Sequence, residues 1–265
     1  ISNRTKKKVE DLKKIYPDTE SISVVGGEEM DPPQFGTVQI SIKPKNGTFV
    51  SDFNKTQILS KLKQFTVSGI NQKITDLKIL YVELNSSVYY NYSQVSSADT
   101  LKTSVINSLQ KYSESLDLNK FGGRVRYSKL QQVIDNTDTA ITSNITRIII
   151  RRDLKPVLNK FAQYELCYGN QFHVNSKGFN IKSTGFKILG ETDTVYITDV
   201  PNADLKSGNL SIVKELSDDQ TRVIVKSAGT VDYVKGEIIL GTINITSTSL
   251  SNGLIEIQAF PESND

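Results

Sequence analysis

Tryptophan is absent from the 265-residue chain, and cysteine and histidine occur once each, as Cys167 and His173. A single cysteine excludes an intramolecular disulfide framework and any all-cysteine metal site, and it suits folding in a reducing compartment. One histidine excludes a histidine-rich metal centre and any two-histidine mechanism. No apolar run approaches the roughly 18 residues that a membrane span requires. The opening Ile1-Ser2-Asn3-Arg4, followed by Lys6-Lys7-Lys8, lacks the apolar segment of a signal peptide. The expectation is a soluble chain, neither inserted in a membrane nor exported by a signal. The initial Ile1 and the trailing Pro261-Glu262-Ser263-Asn264-Asp265 read as the cut ends of a longer protein.

What is present suffices for a core: 37% of the residues are hydrophobic, and the length accommodates one large domain or two ordinary ones. The net charge of +3 conceals an asymmetry. Residues 1–165 carry 24 Lys and Arg against 17 Asp and Glu, whereas residues 166–265 carry 8 against 12. Such a split can steer one half toward nucleic acid or let neighbouring subunits meet through complementary faces. The basic residues are scattered among acids, which favours the second use.

Hydrophobic spacing organises the first part. Val9, Leu12 and Tyr16 mark a short cationic helix over residues 5–16, ended by Pro17. A strand at Ser21–Val25 leads into a Pro- and Gly-rich ordered loop, and Thr37–Lys43 alternates strictly as a half-buried strand. Ser51 or Asp52 caps a helix carrying Ile58, Leu59, Leu62 and Phe65. Apolar residues on both faces of Asp76–Leu84 predict a central strand. Ser96-Ser97-Ala98-Asp99 has the form of a capping box ahead of the stripe Leu101, Val105, Leu109, Tyr112 and Leu116. A shorter helix carries Tyr127, Leu130, Val133 and Ile134, and Ile145–Arg151 is β-rich. The order predicts an α+β fold: an N-terminal α/β sandwich over residues 1–165, a mixed sheet with helices on one face, then a smaller β-rich domain over 166–265. In the latter, short β-branched runs recur at Phe179–Lys182, Thr194–Thr198, Leu210–Val213, Arg222–Val225, Glu237–Leu240, Thr242–Thr246 and Leu254–Ala259.

Catalytic patterns are not met. His173 and Cys167 lie too close in sequence for a persuasive dyad, and Cys167 reads as a small buried hydrophobe. Gly26-Gly27 and Gly122-Gly123 are turns, too short to cradle phosphate. The acids are many, but no spacing singles out a catalytic pair. Glu28, Glu29 and Asp31 could offer oxygen ligands to a hard cation, yet they match no calcium loop, and two prolines stiffen the path. With Phe35 they form a loop shaped for a neighbouring subunit. Lys6-Lys7-Lys8, Arg147, Arg151 and Arg152 are the basic candidates for nucleic acid, and they fall short of a broad phosphate-tracking footprint. Tyr89-Tyr90-Asn91-Tyr92 sets three large amphipathic rings together, which suits either an interface or a strand end packed in its own core. Neither cofactor nor metal is expected. A carbohydrate- or surface-binding β module is the alternative for the C-terminal half.

The stretch Gly26-Gly27-Glu28-Glu29-Met30-Asp31-Pro32-Pro33-Gln34-Phe35-Gly36, running on to Lys45, resembles a segment of the large baseplate wedge proteins of T4-type tailed phages, the gene-product-six, baseplate J-like family. Lys182–Ile188 and Gly236–Gln258 are similar to the distal part of the same family, in the same order. The resemblance implies a C-terminal part of a structural wedge subunit that forms homodimers, joins a ring around the tail hub and binds other wedge proteins. It further implies a location in the tail baseplate of the virion, assembled in the host bacterial cytoplasm. No enzymatic role, nucleic acid, membrane or small-molecule substrate is implied.

Overall fold

The computed structural model describes residues 14, 16–30, 33–45, 50–64, 69–76, 79–115, 118, 121, 123–216 and 220–263. The helix expected over residues 5–16 falls almost entirely outside them. By its contacts the chain forms two units, one of residues 1–78 with 113–124 and the other of residues 79–112 with 125–265. The division expected at residue 165 lies inside the second unit.

In the first unit, β1 (Thr19–Gly26) pairs antiparallel with β2 (Thr37–Pro44). The chain then runs through α1 (Asp52–Lys63) to β3 (Asn71–Thr75), which lies parallel to β2. The strict alternation of Thr37–Lys43 places Ile40 and Ile42 in a small core with Val50, Ile58 and Leu62. Ser51 is the N-cap of α1, its hydroxyl accepting from Asn54 N at 3.3 Å; Asp52 in the first turn and Lys61 and Lys63 in the last complement the helix dipole. Lys55 ties the helix to the end of β3, lying 2.7 Å from Asp76 and 3.1 Å from Asp52. Burial pulls its pKa down, but the two carboxylates prevail and leave it raised.

In the second unit, β4 (Tyr81–Tyr90), α2 (Ala98–Ser113), α3 (Tyr127–Asp135) and β5 (Ile141–Leu154) come first. There follow β6 (Phe161–Cys167), β7 (Ile181–Ser183), β8 (Phe186–Ile188), β9 (Tyr196–Pro201) and β10 (Ser207–Glu215). β11 (Thr221–Asp232), β12 (Glu237–Thr248) and β13 (Ile255–Ala259) complete it. One sheet has the order β4-β5-β13-β7; the other runs β6-β12-β11-β10-β9, with β8 on the far half of β12. Their shared core includes Ile150, Ile181, Phe186, Leu210, Ile238 and Ile257, all nearly inaccessible to solvent. α2 begins with Ser97 as cap, its hydroxyl accepting from Thr100 N at 3.1 Å, one residue later than the capping pattern suggested.

The α+β expectation, with its N-terminal α/β sandwich, is overturned. The chain is mostly β, 46% strand against 19% helix, with three sheets and three α-helices among the described residues. Local periodicity names a strand but not its partner, and here the strands supposed to share one sheet are divided between two. β1, β2 and β3 keep to themselves, while β5 takes β13, from the far end of the chain, as its second neighbour. The strands are also longer than their apolar runs: Glu237–Leu240 and Thr242–Thr246 are one strand, β12, passing through Gly241 with a register shift beyond Leu240. Asp76–Leu84 is not a central strand. The strand begins at Tyr81, and β4 stands at a sheet edge beside β5. Leu80, Val82 and Leu84 pack against the core, whereas Tyr81 and Glu83 are half-buried around Arg151. Both faces are thus covered although one edge lies at the border of the sheet.

Candidate functional site

The tyrosine segment closes β4. Tyr89 pairs with Ser143 and Tyr90 with Ile141, so Thr142 is an extra residue in β5, and its hydroxyl donates to Tyr89 O at 3.1 Å. Asn91 N donates to Ala140 O at 2.9 Å, which ends the ladder. The Asn91 carboxamide oxygen then accepts from Ser93 N at 3.1 Å and Ser93 Oγ at 2.8 Å, capping a one-turn 3-10 helix, Tyr92–Gln94. This fixes the backbone under three rings that remain in solvent: Tyr89 is 52% exposed, Tyr90 36% and Tyr92 84%. The choice between interface and self-packed core falls against the core for this chain alone.

The second group of expected interface residues lies in the first unit. Gly27 N-terminal to Glu28 and Glu29 opens a 3-10 turn, and both acids are exposed. The Gly27 carbonyl accepts from Met30 N at 3.3 Å and Gln34 N at 2.7 Å, folding the loop back on itself. A Cβ at Gly27 would stand 1.8 Å from Gln34 O, so only glycine permits this closure. Phe35 sits beyond it, 82% exposed, and Gly36 turns the chain into β2 at a φ of 73°. Asp31 lies outside the described residues. No group of three or more His, Cys, Asp or Glu able to hold a metal ion occurs among the described residues.

The three arginines of β5 do different work. Arg151 is held by Glu83 (2.5 Å), Asp153 (2.9 Å) and Glu256 (3.5 Å), with its guanidinium 4.6 Å from the centre of the Tyr81 ring. Burial opposes its charge, but the acids more than offset this and raise its pKa. Arg152 points to the opposite face, toward the core; burial there lowers its pKa, and its Nε and Nη1 are buried without a hydrogen-bond partner. Arg147 shares the face of Arg151 and is exposed. Cys167 is half-buried, its thiol 3.5 Å from Glu165 Oε1, and His173 is exposed, 3.1 Å from Glu262 Oε2.

One organised group escaped the sequence reading. Asp199 is 1% exposed. Its Oδ2 accepts from Tyr233 Oη at 2.6 Å and Asn180 Nδ2 at 2.8 Å, and its Oδ1 accepts from Ile181 N at 2.7 Å. Asn180 Oδ1 accepts in turn from Asn175 N at 2.6 Å. These bonds pin the loop of residues 175–180, which holds Phe179 at a φ of 61° and 54% exposed. No residue pattern announces it, because the partners are scattered between residues 175 and 233; the adjoining Gly178 is the one local sign.

Residues 10–75 match the family "Baseplate structural protein gp6, C-terminal domain I", and residues 78–153 match "Baseplate structural protein gp6, C-terminal domain III". The chain belongs to the baseplate gp6 family. The junction between the two matches, at residues 76–77, lies close to the division of contacts at residues 78 and 79, although residues 113–124 of the first unit fall within the domain III match. A curated relative, "Baseplate wedge protein gp6" of Enterobacteria phage T4, is 22% identical over 186 residues, covering 67% of this chain and 28% of the T4 protein. The chain therefore spans less than a third of that relative's length. Membership in the gp6 family makes it a structural protein of the tail baseplate of the virion.

Proposed function

We propose that the chain serves in a baseplate wedge by pairing with a second copy of itself and by docking neighbouring wedge proteins, without catalysis or cofactor. The observation that carries this reading is the end of β4, where a built turn displays Tyr89, Tyr90 and Tyr92 to solvent. Tyrosine rings bury much area at little cost in side-chain entropy, and they are favoured anchors at interfaces. They stand at the end of an edge strand, a position that also lends itself to strand addition. Three rings supply part of the ~800 Å² per partner of an ordinary interface, so they act as its anchor. The loop that carries exposed Glu28, Glu29 and Phe35 provides a second surface suited to a different wedge neighbour.

Light scattering on the full chain tests the pairing. The expected result is a mass of two chains at micromolar concentration, falling to one in a Tyr89→Ser, Tyr92→Ser double variant whose melting temperature matches the wild type. A wild-type chain that stays monomeric at the highest soluble concentration contradicts the proposal.

A further inference from the structure

Within the second unit, β5, β7, the loop of residues 173–180 and the Phe260-Pro261 exit from β13 enclose an open cleft of about 750 Å³. Arg147, Lys177 and Lys182 contribute three cationic side chains to its lining, and no acidic residue lines it. None of the three joins an ion pair among the described residues. Where Arg151, on the same face of β5, serves the fold, three carboxylates surround it; Arg147 is given none.

The apolar part of the lining includes Phe179 and Phe260, the latter 38% exposed, together with Ile148 and Pro261. Phenylalanine at a φ of 61° is strained, and its side chain is not needed by the core, being more than half in solvent. The strain persists because Asn180 and buried Asp199 hold the loop, and because Gly178 packs against Asp199 O, 2.7 Å from where a Cβ would stand. The fold's own packing does not account for this strained, exposed aromatic in a cleft with three cations unpaired among the described residues.

We propose that this cleft docks an acidic segment of another protein, whose carboxylates meet Arg147, Lys177 and Lys182 while an apolar side chain rests on Phe179 and Phe260. The inference rests on the docking reading above in taking the partner to be protein. Charge complementarity selects an acidic partner. Nucleic acid shares the charge but fits less well, because three cations in one cleft fall short of the broad basic footprint that phosphate tracking needs.

Fluorescence anisotropy at low salt provides the test, with the full chain titrated into three labelled probes: a short peptide of glutamate and leucine, its counterpart with glutamine for glutamate, and an oligothymidylate of equal charge. The glutamate peptide is expected to bind about tenfold or more tightly than the glutamine peptide, and salt weakens it. Lys177→Glu with Lys182→Glu lowers its affinity by about tenfold, the effect of two reversed surface charges. Phe179→Gly lowers it severalfold without lowering the melting temperature, since glycine accepts the left-handed backbone. Absence of binding by the glutamate peptide, equal binding of the glutamine peptide, indifference to the lysine reversals, or tighter binding of the oligothymidylate each overturns the proposal. Light scattering on the lysine variant separates this from the pairing reading: self-association should be unchanged, and peptide binding by a strictly monomeric chain would uphold the cleft while the pairing failed.

Discussion

Replacing Asp199 with asparagine tests how the second unit is held together. The side chain is 1% exposed and accepts from three donors, Tyr233 Oη, Asn180 Nδ2 and Ile181 N, at 2.6 to 2.8 Å. Asparagine has nearly the same shape but keeps one acceptor oxygen, so its amide group must face at least one of these donors. Each charge-assisted bond contributes about 1.5–3 kcal/mol, and a buried donor left unsatisfied costs about 1–3 kcal/mol. Asp199→Asn should therefore cost about 3–5 kcal/mol. At roughly 2–4 °C per kcal/mol for a unit of this size, the melting temperature falls by about 6–20 °C. Tyr233→Phe removes one donor and should cost only about 1–2 kcal/mol. Because the two groups touch, their double variant should be less destabilised than the sum, by about 1 kcal/mol or more. Circular dichroism during thermal and urea unfolding measures all four proteins. An Asp199→Asn variant that melts within about 2 °C of wild type, or a double variant that is strictly additive, refutes the reasoning.

Three further outcomes follow from the same structure. Gly27→Ala places a Cβ where Gln34 O lies, 1.8 Å away, and should destabilise the first unit by about 1–3 kcal/mol in urea unfolding; a neutral result would show that the loop closes differently. Arg151→Met leaves Glu83, Asp153 and Glu256 facing one another and should cost about 2–4 kcal/mol, whereas Glu83→Gln should cost less than half of that. Burial holds the hydroxyl protons of Tyr168 and Tyr233 above the ordinary tyrosine range, with Asp199 adding to the effect at Tyr233. The raised folded values mean that the folded state retains protons the unfolded chain releases. Their contribution is complete below about pH 10 and is lost as the pH rises through the folded values, by up to about 1.4 kcal/mol per pH unit for each ring. An unfolding midpoint that stays flat from about pH 9 to 12 would contradict this, and Tyr233→Phe should roughly halve the slope.

The sequence was most readable where structure is local. The alternation of Thr37–Lys43, the cap at Ser51 and the stripe behind Ser97 rest on contacts within one turn or one pleat, and each appears in place. Pairing was not readable, because β5 completes its sheet with β13, and β12 keeps β6 through a register shift to Asn244 before pairing with β8 from Ile245. No periodicity carries such information. β4 was misjudged for a related reason: residues that shield a strand's two faces resemble those of a central strand even when one edge lies at the border. Of the candidate surface, the tyrosine segment and Phe35 stand out in the sequence as aromatics beside turn residues, but their exposure is a property of the fold. The cleft was invisible, since Arg147, Lys182 and Phe179 meet only through the fold.

Hydroxyl-radical footprinting, read by mass spectrometry on the assembled wedge and on the isolated full chain at a concentration that keeps it dilute, tests the central claim most directly. The rings of Tyr89 and Tyr92 should oxidise several times more slowly in the assembly, as partners cover them, while Val234, 49% exposed and on none of the three docking surfaces, serves as the unchanged reference. Equal oxidation of both tyrosines in the two samples would mean that this surface meets nothing in the baseplate.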